Sequence, residues 1–232
     1  METLWLHIRA PFASFSTLRT GTYRDTMPMM PPSAAYGLIL NLAGIEMRGS
    51  LQKSITPIRS NLPHIKLAFG RVAGSNSEIS VLLQNFHTYP IGQTGKERKA
   101  KTHGNKYWIE PTYREVIVDL DMILGVKADS ELISLVRQGL NGESYCTYYG
   151  FPFAGDNNFL FDRIDCLDEP LPTHWFVQSD SNLELESGAT SLTVEINRQN
   201  PSQTKSLLFS ATQYPSTSLT DSEWLSIFES SQ

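Results

Sequence analysis

Cysteine is scarce in these 232 residues. Cys146 and Cys166 are the whole complement, too few for a disulfide framework or a four-thiolate zinc site, and both are expected as reduced thiols. The five histidines, His7, His64, His87, His103 and His174, form no i,i+4 pair, and no CxxC is present, so no metal site is expected. The GxxxxGK[ST] phosphate loop, the GxGxxG fingerprint and the GxSxG elbow are all missing. Nucleotide hydrolysis and the common hydrolase mechanisms therefore lack their local signatures, and no cofactor is expected. No run of about 18 apolar residues is found, which argues against a membrane span. The opening METLWLHIRAPF has no basic segment followed by a long apolar run, so the expected location is the cytoplasm.

What is present is a chain that is 40% hydrophobic and 19% charged, enough for one large domain or two small ones. The net charge of −5 conceals a division. Through residue 114 there are 14 Lys/Arg and 6 Asp/Glu, a net of +8; the remainder holds 5 and 18, a net of −13. A polyanion-facing N-terminal half follows from that asymmetry.

Along the chain, Leu4–Arg9 alternates as a strand expected to end at Pro11. The next twenty residues carry no period and form a long loop. PPSAAYGLILNLAGIE reads as a helix capped by Ser33, with Leu38, Ile39, Leu42 and Ile45 inward and Gly44 near its end. HIKLAFGRV and EISVLLQNF read as two strands paired as a hairpin through Gly74-Ser75-Asn76-Ser77. Residues 88–111 lose all periodicity. Strand character returns at Arg114–Leu120, followed by the helix DSELISLVRQGL with Asp129 as cap. This order fits an α+β, ferredoxin-like (RRM-like) βαββαβ domain over 1–142, with an insertion at about 88–113 and one strand still to follow. Residues 143–232 read as a smaller β-rich C-terminal lobe, with strands near His174–Val177, Thr190–Ile196 and Ser206–Phe209. Its ending, Asp221–Phe228, is expected as a short helix with Trp224, Leu225 and Phe228 inward.

The candidate chemistry lies in three basic, irregular segments. The insertion combines Lys96, Arg98, Lys99, Lys101, His103 and Lys106 with Tyr107 and Trp108. Such a run is either a solvated loop or an arm whose cations meet phosphates while its rings stack on unpaired bases. If five cations engage one strand, the salt slope is about −3.5, a loss of roughly a hundredfold between 50 and 200 mM salt. The first loop adds Arg19, Tyr23 and Arg24, and the connection after the first helix adds Arg48, Lys53 and Arg59. Together they favour RNA.

Several motifs resemble one known family. PFASFSTLRTGTYRDTMPMMPPSAAYGLILNLAGIE after the first strand, the basic insertion closed by TYREVIVDLDMIL, and YYGFPFAGDNNFLF are similar to the fifth CRISPR-associated protein family, the Cas-five subunit of type I Cascade complexes. The likeness covers about the first 165 residues. It implies a repeat-associated mysterious-protein (RAMP) fold whose inserted hairpin is called the thumb, and a subunit of antiviral defence that holds the 5′ handle of the guide RNA (crRNA). The implied neighbours are the backbone subunit of the seventh family and the large subunit, with target DNA met only through the complex. Carried onto this chain, Ser14 through Arg24 and the start of the Ser33 helix would face the handle, with Tyr36 one turn in, either stacking on a base or packing in the core. Arg59, Lys96, Arg98, Lys99, Lys101, His103 and Arg114 complete the implied RNA-binding set. One branch of the family is a metal-independent endoribonuclease using Tyr, Lys and His. Here Tyr23 or Tyr36 with Lys101 and His103 would supply those types, but the branch's adjacent Lys-His pair is absent, and the expectation is a subunit without catalysis.

Overall fold

The computed structural model of the chain describes residues 1–17, 23–49, 56–88, 108–143, 151–179 and 188–227. In chain order these form β1 (Glu2–Ala13), β2 (Phe15–Ser16), β3 (Thr26–Met27), α1 (Pro32–Leu42), β4 (Ile65–Val72), β5 (Glu78–Thr88), β6 (Trp108–Ala128) and α2 (Ser130–Leu140). They continue with β7 (Arg163–Leu167), β8 (Thr173–Gln178), β9 (Thr190–Glu195), β10 (Lys205–Ala211) and β11 (Leu225–Ile227). Among the described residues the architecture is mostly β-sheet with two α-helices, an α+β fold. No helix among the described residues is long and apolar enough to cross a membrane.

β1 alternates as its sequence dictates: Leu4, Leu6, Ile8 and Ala10 point into the core, and Thr3, Trp5, His7 and Arg9 stand on the other face. Its strand does not stop at Pro11 but continues to Ala13. The ladder with β6 pairs Ala10 with Leu120 and Phe12 with Val118, leaving Pro11 opposite Asp119. Proline has no N–H to contribute there, and Asp119 adopts a φ of 51°, a left-handed backbone that aspartate tolerates better than most residues.

Four strands lie side by side in the order β7, β1, β6, β4, each antiparallel to its neighbour. α1 and α2 link β1 to β4 and β6 to β7, and both contribute to one core with Leu4, Leu6, Leu67, Phe69, Leu124 and Val126. Each such fully buried apolar side chain contributes about 1.5–3 kcal/mol. α2 begins as expected, with the Asp129 carboxylate accepting the Leu132 N–H at 2.8 Å. α1 does not. Its flanking residue is Pro31, Pro32 opens the helix with φ already suited to it, and Ser33 is the second helical residue, making no capping bond. Leu38, Ile39 and Leu42 are buried as expected, and Gly44 turns the chain out at φ 70°.

The expected β4–β5 hairpin is not formed. Both strands pair with the same edge of the 21-residue β6: β4 against residues 122–127 and β5 against residues 108–118. Residues 72–77 sit opposite only 119–121, so the turn-prone Gly74 stretch absorbs three extra residues within one continuing strand instead of reversing it. Glycine at 74, with φ 76°, serves an interruption as readily as a hairpin. β5 and β6 stay paired to Thr88 and Trp108, so regular structure enters the expected 88–113 insertion from both sides; residues 89–107 lie outside the described residues.

Beyond residue 143, β7 joins β1, while β8 and β11 share the outer edge of β4 and β10 and β9 extend the sheet to nine strands. Gly70 permits the β4–β8 approach: a Cβ there would sit 2.4 Å from the His174 carbonyl oxygen. β9 reaches α1, and Leu192, Val194 and Phe209 enter the same core. The C-terminal helix expected over 221–228 is instead a single 3₁₀ turn, Asp221–Glu223, followed by β11, because the β4 backbone from Ile65 to Leu67 offers a free edge to Leu225–Ile227. Phe228 is outside the described residues. Trp224 packs on the sheet's other face with Trp5 and Trp175, above Gly125, where a Cβ would lie 2.4 Å from the Trp5 ring.

Candidate nucleic-acid interface

Where β1 ends, four separate stretches of sequence meet. The Ser14 N–H donates to the Ala154 carbonyl at 2.9 Å and its hydroxyl to the Glu115 carbonyl at 3.4 Å. Gly155, at φ 82°, passes so near that a Cβ would lie 2.3 Å from the Ser14 carbonyl oxygen. β2 and β3 pair Phe15 with Met27 and Ser16 with Thr26, and the Phe15 N–H donates to the Thr26 hydroxyl at 2.8 Å. They close the stem of the first basic loop.

Glu115 holds the returning side of that stem. One carboxylate oxygen accepts from the Tyr23 hydroxyl at 2.9 Å and the other from the Thr26 N–H at 3.0 Å. Its backbone N–H donates to the Arg24 carbonyl at 2.7 Å, and the Arg24 N–H to the Tyr113 carbonyl at 3.3 Å, which makes a parallel bridge between Arg24 and Arg114. Tyr23 stays exposed, and its hydroxyl is pushed above the ordinary tyrosine value by the bond to Glu115. It therefore remains a neutral ring at physiological pH.

Arg114 occupies the opposite face of β6. It is 1% exposed; one terminal nitrogen donates to Gln84 Oε1 and the other to Asp156 Oδ2, both at 2.9 Å, and its guanidinium lies 5.0 Å from the centroid of the Phe159 ring. Burial raises the Asp156 carboxyl, but the Asn158 N–H and the Arg114 charge outweigh it, leaving the group below the usual carboxylate range. The TYRE and GDNN motifs are thus one structural joint. Glu115 and Asp156, both without an assigned role in the sequence reading, carry it; the only signal for them was the motifs themselves, since a spacing of 42 residues between Arg114 and Asp156 announces nothing.

Of the expected RNA-binding residues, Ser14, Tyr23, Arg24 and Arg114 come together. Arg114, expected in the RNA-binding set, is instead a buried tie, its two terminal nitrogens donating to protein acceptors. Tyr36 is 1% exposed, and its hydroxyl donates to the Pro63 carbonyl at 2.8 Å; it packs the core and offers no ring to a base, and burial pushes its hydroxyl far above the ordinary value. Ser33 lies at a helix start poorly equipped for an anion: Pro31 and Pro32 have no N–H, and the Ala34 N–H is taken by the Pro31 carbonyl at 2.9 Å. Arg59 belongs to a different place, a ribbon after α1, where it donates to the Arg48 carbonyl while Arg48 pairs with Glu46 through two bonds of 2.9 and 2.7 Å. Arg19, Lys96, Arg98, Lys99, Lys101 and His103 lie outside the described residues.

Comparison with known proteins places this geometry. The fold is similar to that of a chain from a "CRISPR RNA-guided surveillance complex", with a TM-score of 0.53 and 16% identity over 92% of this chain and 90% of that one. A structure described as "Crystal structure of Cas protein" matches at a TM-score of 0.45 and 12% identity, covering 92% and 94% of the two chains. No match was found among curated proteins. The family model described as "CRISPR-associated protein (Cas_Cas5)" matches residues 3–141, from the second residue of β1 to just past α2, which takes in both helices, the β4–β5–β6 ribbon and Glu115, while the Asp156 side of the joint lies beyond it. With well over half of its 232 residues matched, the chain belongs to the Cas5 family of CRISPR-associated proteins.

Proposed function

We propose that this chain is a non-catalytic RNA-binding subunit of a type I Cascade surveillance complex. It holds the crRNA 5′ handle and contacts the backbone and large subunits, in antiviral defence or RNA-guided DNA targeting. Family membership gives the CRISPR-related role. The finer reading is carried by one observation: Glu115 clamps Tyr23 and Thr26 against β6, so that the stem of a basic loop stands at the base of the β5–β6 ribbon. The sequence joining β5 to β6, residues 89–107, has five Lys/Arg and one Glu. In this reading it is the thumb, and the βαββαβ order with spatial arrangement β7, β1, β6, β4 is a ferredoxin-like RAMP platform. Cations of both segments would meet handle phosphates, and exposed rings would meet bases.

The ribonuclease reading needs a base for the 2′-hydroxyl; Tyr36 is withdrawn from that role by its burial and its bond to Pro63, which leaves the exposed Tyr23 of the two tyrosines considered. Incubation of the purified protein with a repeat-containing RNA in EDTA separates the two. The proposal expects salt-sensitive retention of uncut RNA, with a slope of about −3.5 if five cations engage. A site-specific product abolished by His103→Ala would overturn it.

A further inference from the structure

We propose that the outer edge of β5 pairs with the same edge of a second copy of this chain, so that the isolated protein forms a two-fold dimer joined strand to strand. This goes beyond the RNA-binding reading and stands or falls separately from it.

β5 is a long edge without protection. Its ladder with β6 runs without a shift from Glu78 to Thr88, and among the described residues no strand pairs with its other side. That side presents a row of N–H and C=O groups at strand spacing. Folded chains guard such edges with charge, proline, a bulge or short length. The two ends of the sheet follow that rule: β7 has five residues and carries Arg163 and Asp165, and β9 has six and ends at Glu195. The outer edge of β4 is covered by β8 and β11. β5 uses none of these devices. Residues 79–88, ISVLLQNFHT, contain no Lys, Arg, Asp, Glu or Pro, and Ile79, Val81 and Leu83, on one face, are 45%, 54% and 59% exposed.

The edge itself selects the occupant. A row of unpaired backbone groups is satisfied by another strand, which a polyphosphate does not offer, and an uncharged strand gives the charges of an acidic or basic peptide nothing to pair with. A second copy brings an edge of the same length and twist with no like charge opposite. Antiparallel pairing about a two-fold axis perpendicular to the sheet keeps both outward faces on one side, and opposed residues share a face. The axis that brings the three exposed apolar residues together passes through Val81. Val81 then faces Val81 of the second copy, Ile79 faces its Leu83, and Glu78 faces neutral Gln84. Tyr113, paired with Leu83 on β6, extends each apolar row. Each copy uses its single β5 edge, so the assembly closes at two. One strand edge is smaller than the roughly 800 Å² per partner of a standard interface, so weak association is expected.

Sedimentation velocity of the full chain over about 1–100 μM, a range suited to micromolar affinity, tests this. Wild type should pass from monomer to dimer. Val81→Lys and Val81→Glu should each weaken dimerisation more than tenfold by opposing like charges across the axis, whereas Val81→Thr should dimerise like wild type. Mixing the Lys and Glu variants should restore the dimer, a rescue that a damaged fold would not give. In a Cys146→Ser, Cys166→Ser background, Val81→Cys should give a disulfide-linked dimer with diamide, since paired residues lie within disulfide reach. Asn85→Cys should not, because it stands about 27 Å along the strand from its counterpart. A wild type that is monomeric throughout, a dimer indifferent to Val81→Lys, a mixture no better than either variant alone, or equal crosslinking at 81 and 85 would overturn the inference. A monomeric wild type whose Val81→Lys variant loses RNA, or loses another protein in pull-down, would assign the edge to that occupant and defeat it too. None of these results bears on whether the chain holds the handle.

Discussion

Replacing Asp156 by alanine removes the acceptor that neutralises Arg114, while the guanidinium stays where it is, 1% exposed at the joint between β6 and the 151–160 segment. Breaking a buried pair from one side costs about 3–5 kcal/mol, because the remaining charge keeps its desolvation penalty and loses its partner. For a chain of this size each kcal/mol moves the thermal midpoint by about 2–4 °C, so the expected drop is about 6–20 °C. Arg114→Met is the informative contrast. It removes the buried charge with little change in volume, and Asp156, with a side chain 19% exposed, retains both Asn158 bonds. The expected cost is below about 1.5 kcal/mol. Differential scanning calorimetry or urea melts of both variants measure the asymmetry. The Asp156 carboxyl titrates below its usual value in the folded chain. Its stabilising contribution is therefore complete above the unfolded-state value, about 3.9, and is lost as pH falls through the lower folded value. That acid-side component should be absent from Asp156→Ala. Equal costs for the two variants, or a loss below about 1 kcal/mol for Asp156→Ala, would refute the reasoning that the charge is buried and tied.

Glu115→Ala should release the 23–26 stem and weaken RNA retention about fivefold or more through lost preorganisation; filter binding that matches wild type would mean that the clamp does not position the loop. Gly70→Ala should destabilise by about 1–3 kcal/mol in urea melts, because the new methyl meets the His174 carbonyl at 2.4 Å and β8 must shift from β4. Asp129→Ala should cost about 0.5–2 kcal/mol by the same assay, with the Leu132 N–H losing its acceptor.

The elements that the sequence disclosed are those whose burial follows one local period. β1 and β9 alternate with the period of a strand, and α2 displays both its cap and its apolar stripe. Misreadings occurred where a tertiary partner decided the outcome. Gly74-Ser75-Asn76-Ser77 is turn-prone in any context, and only the 21-residue β6, running past both β4 and β5, makes it an interruption within a strand. Trp224-Leu225-Ser226-Ile227 is compatible with a helix until the β4 edge claims it. At the candidate interface, residue type singled out Tyr23 and Arg24, which the structure brings together with Ser14 and Arg114, but could not tell a surface arginine from a buried one. Arg114 and Tyr36 looked like RNA ligands because their partners, Asp156 and Pro63, are 42 and 27 residues away and are brought near only by the fold.

The central claim, that this chain holds the leading end of a guide transcript, is tested most directly by photocrosslinking. The full complex would be assembled on a crRNA carrying 4-thiouridine at single positions, irradiated, digested and mapped by mass spectrometry. The account predicts crosslinks from 5′-handle positions to the peptides that include Tyr23 and Arg24. Crosslinks to this chain from the 3′ end alone, or handle crosslinks confined to other subunits, would contradict it.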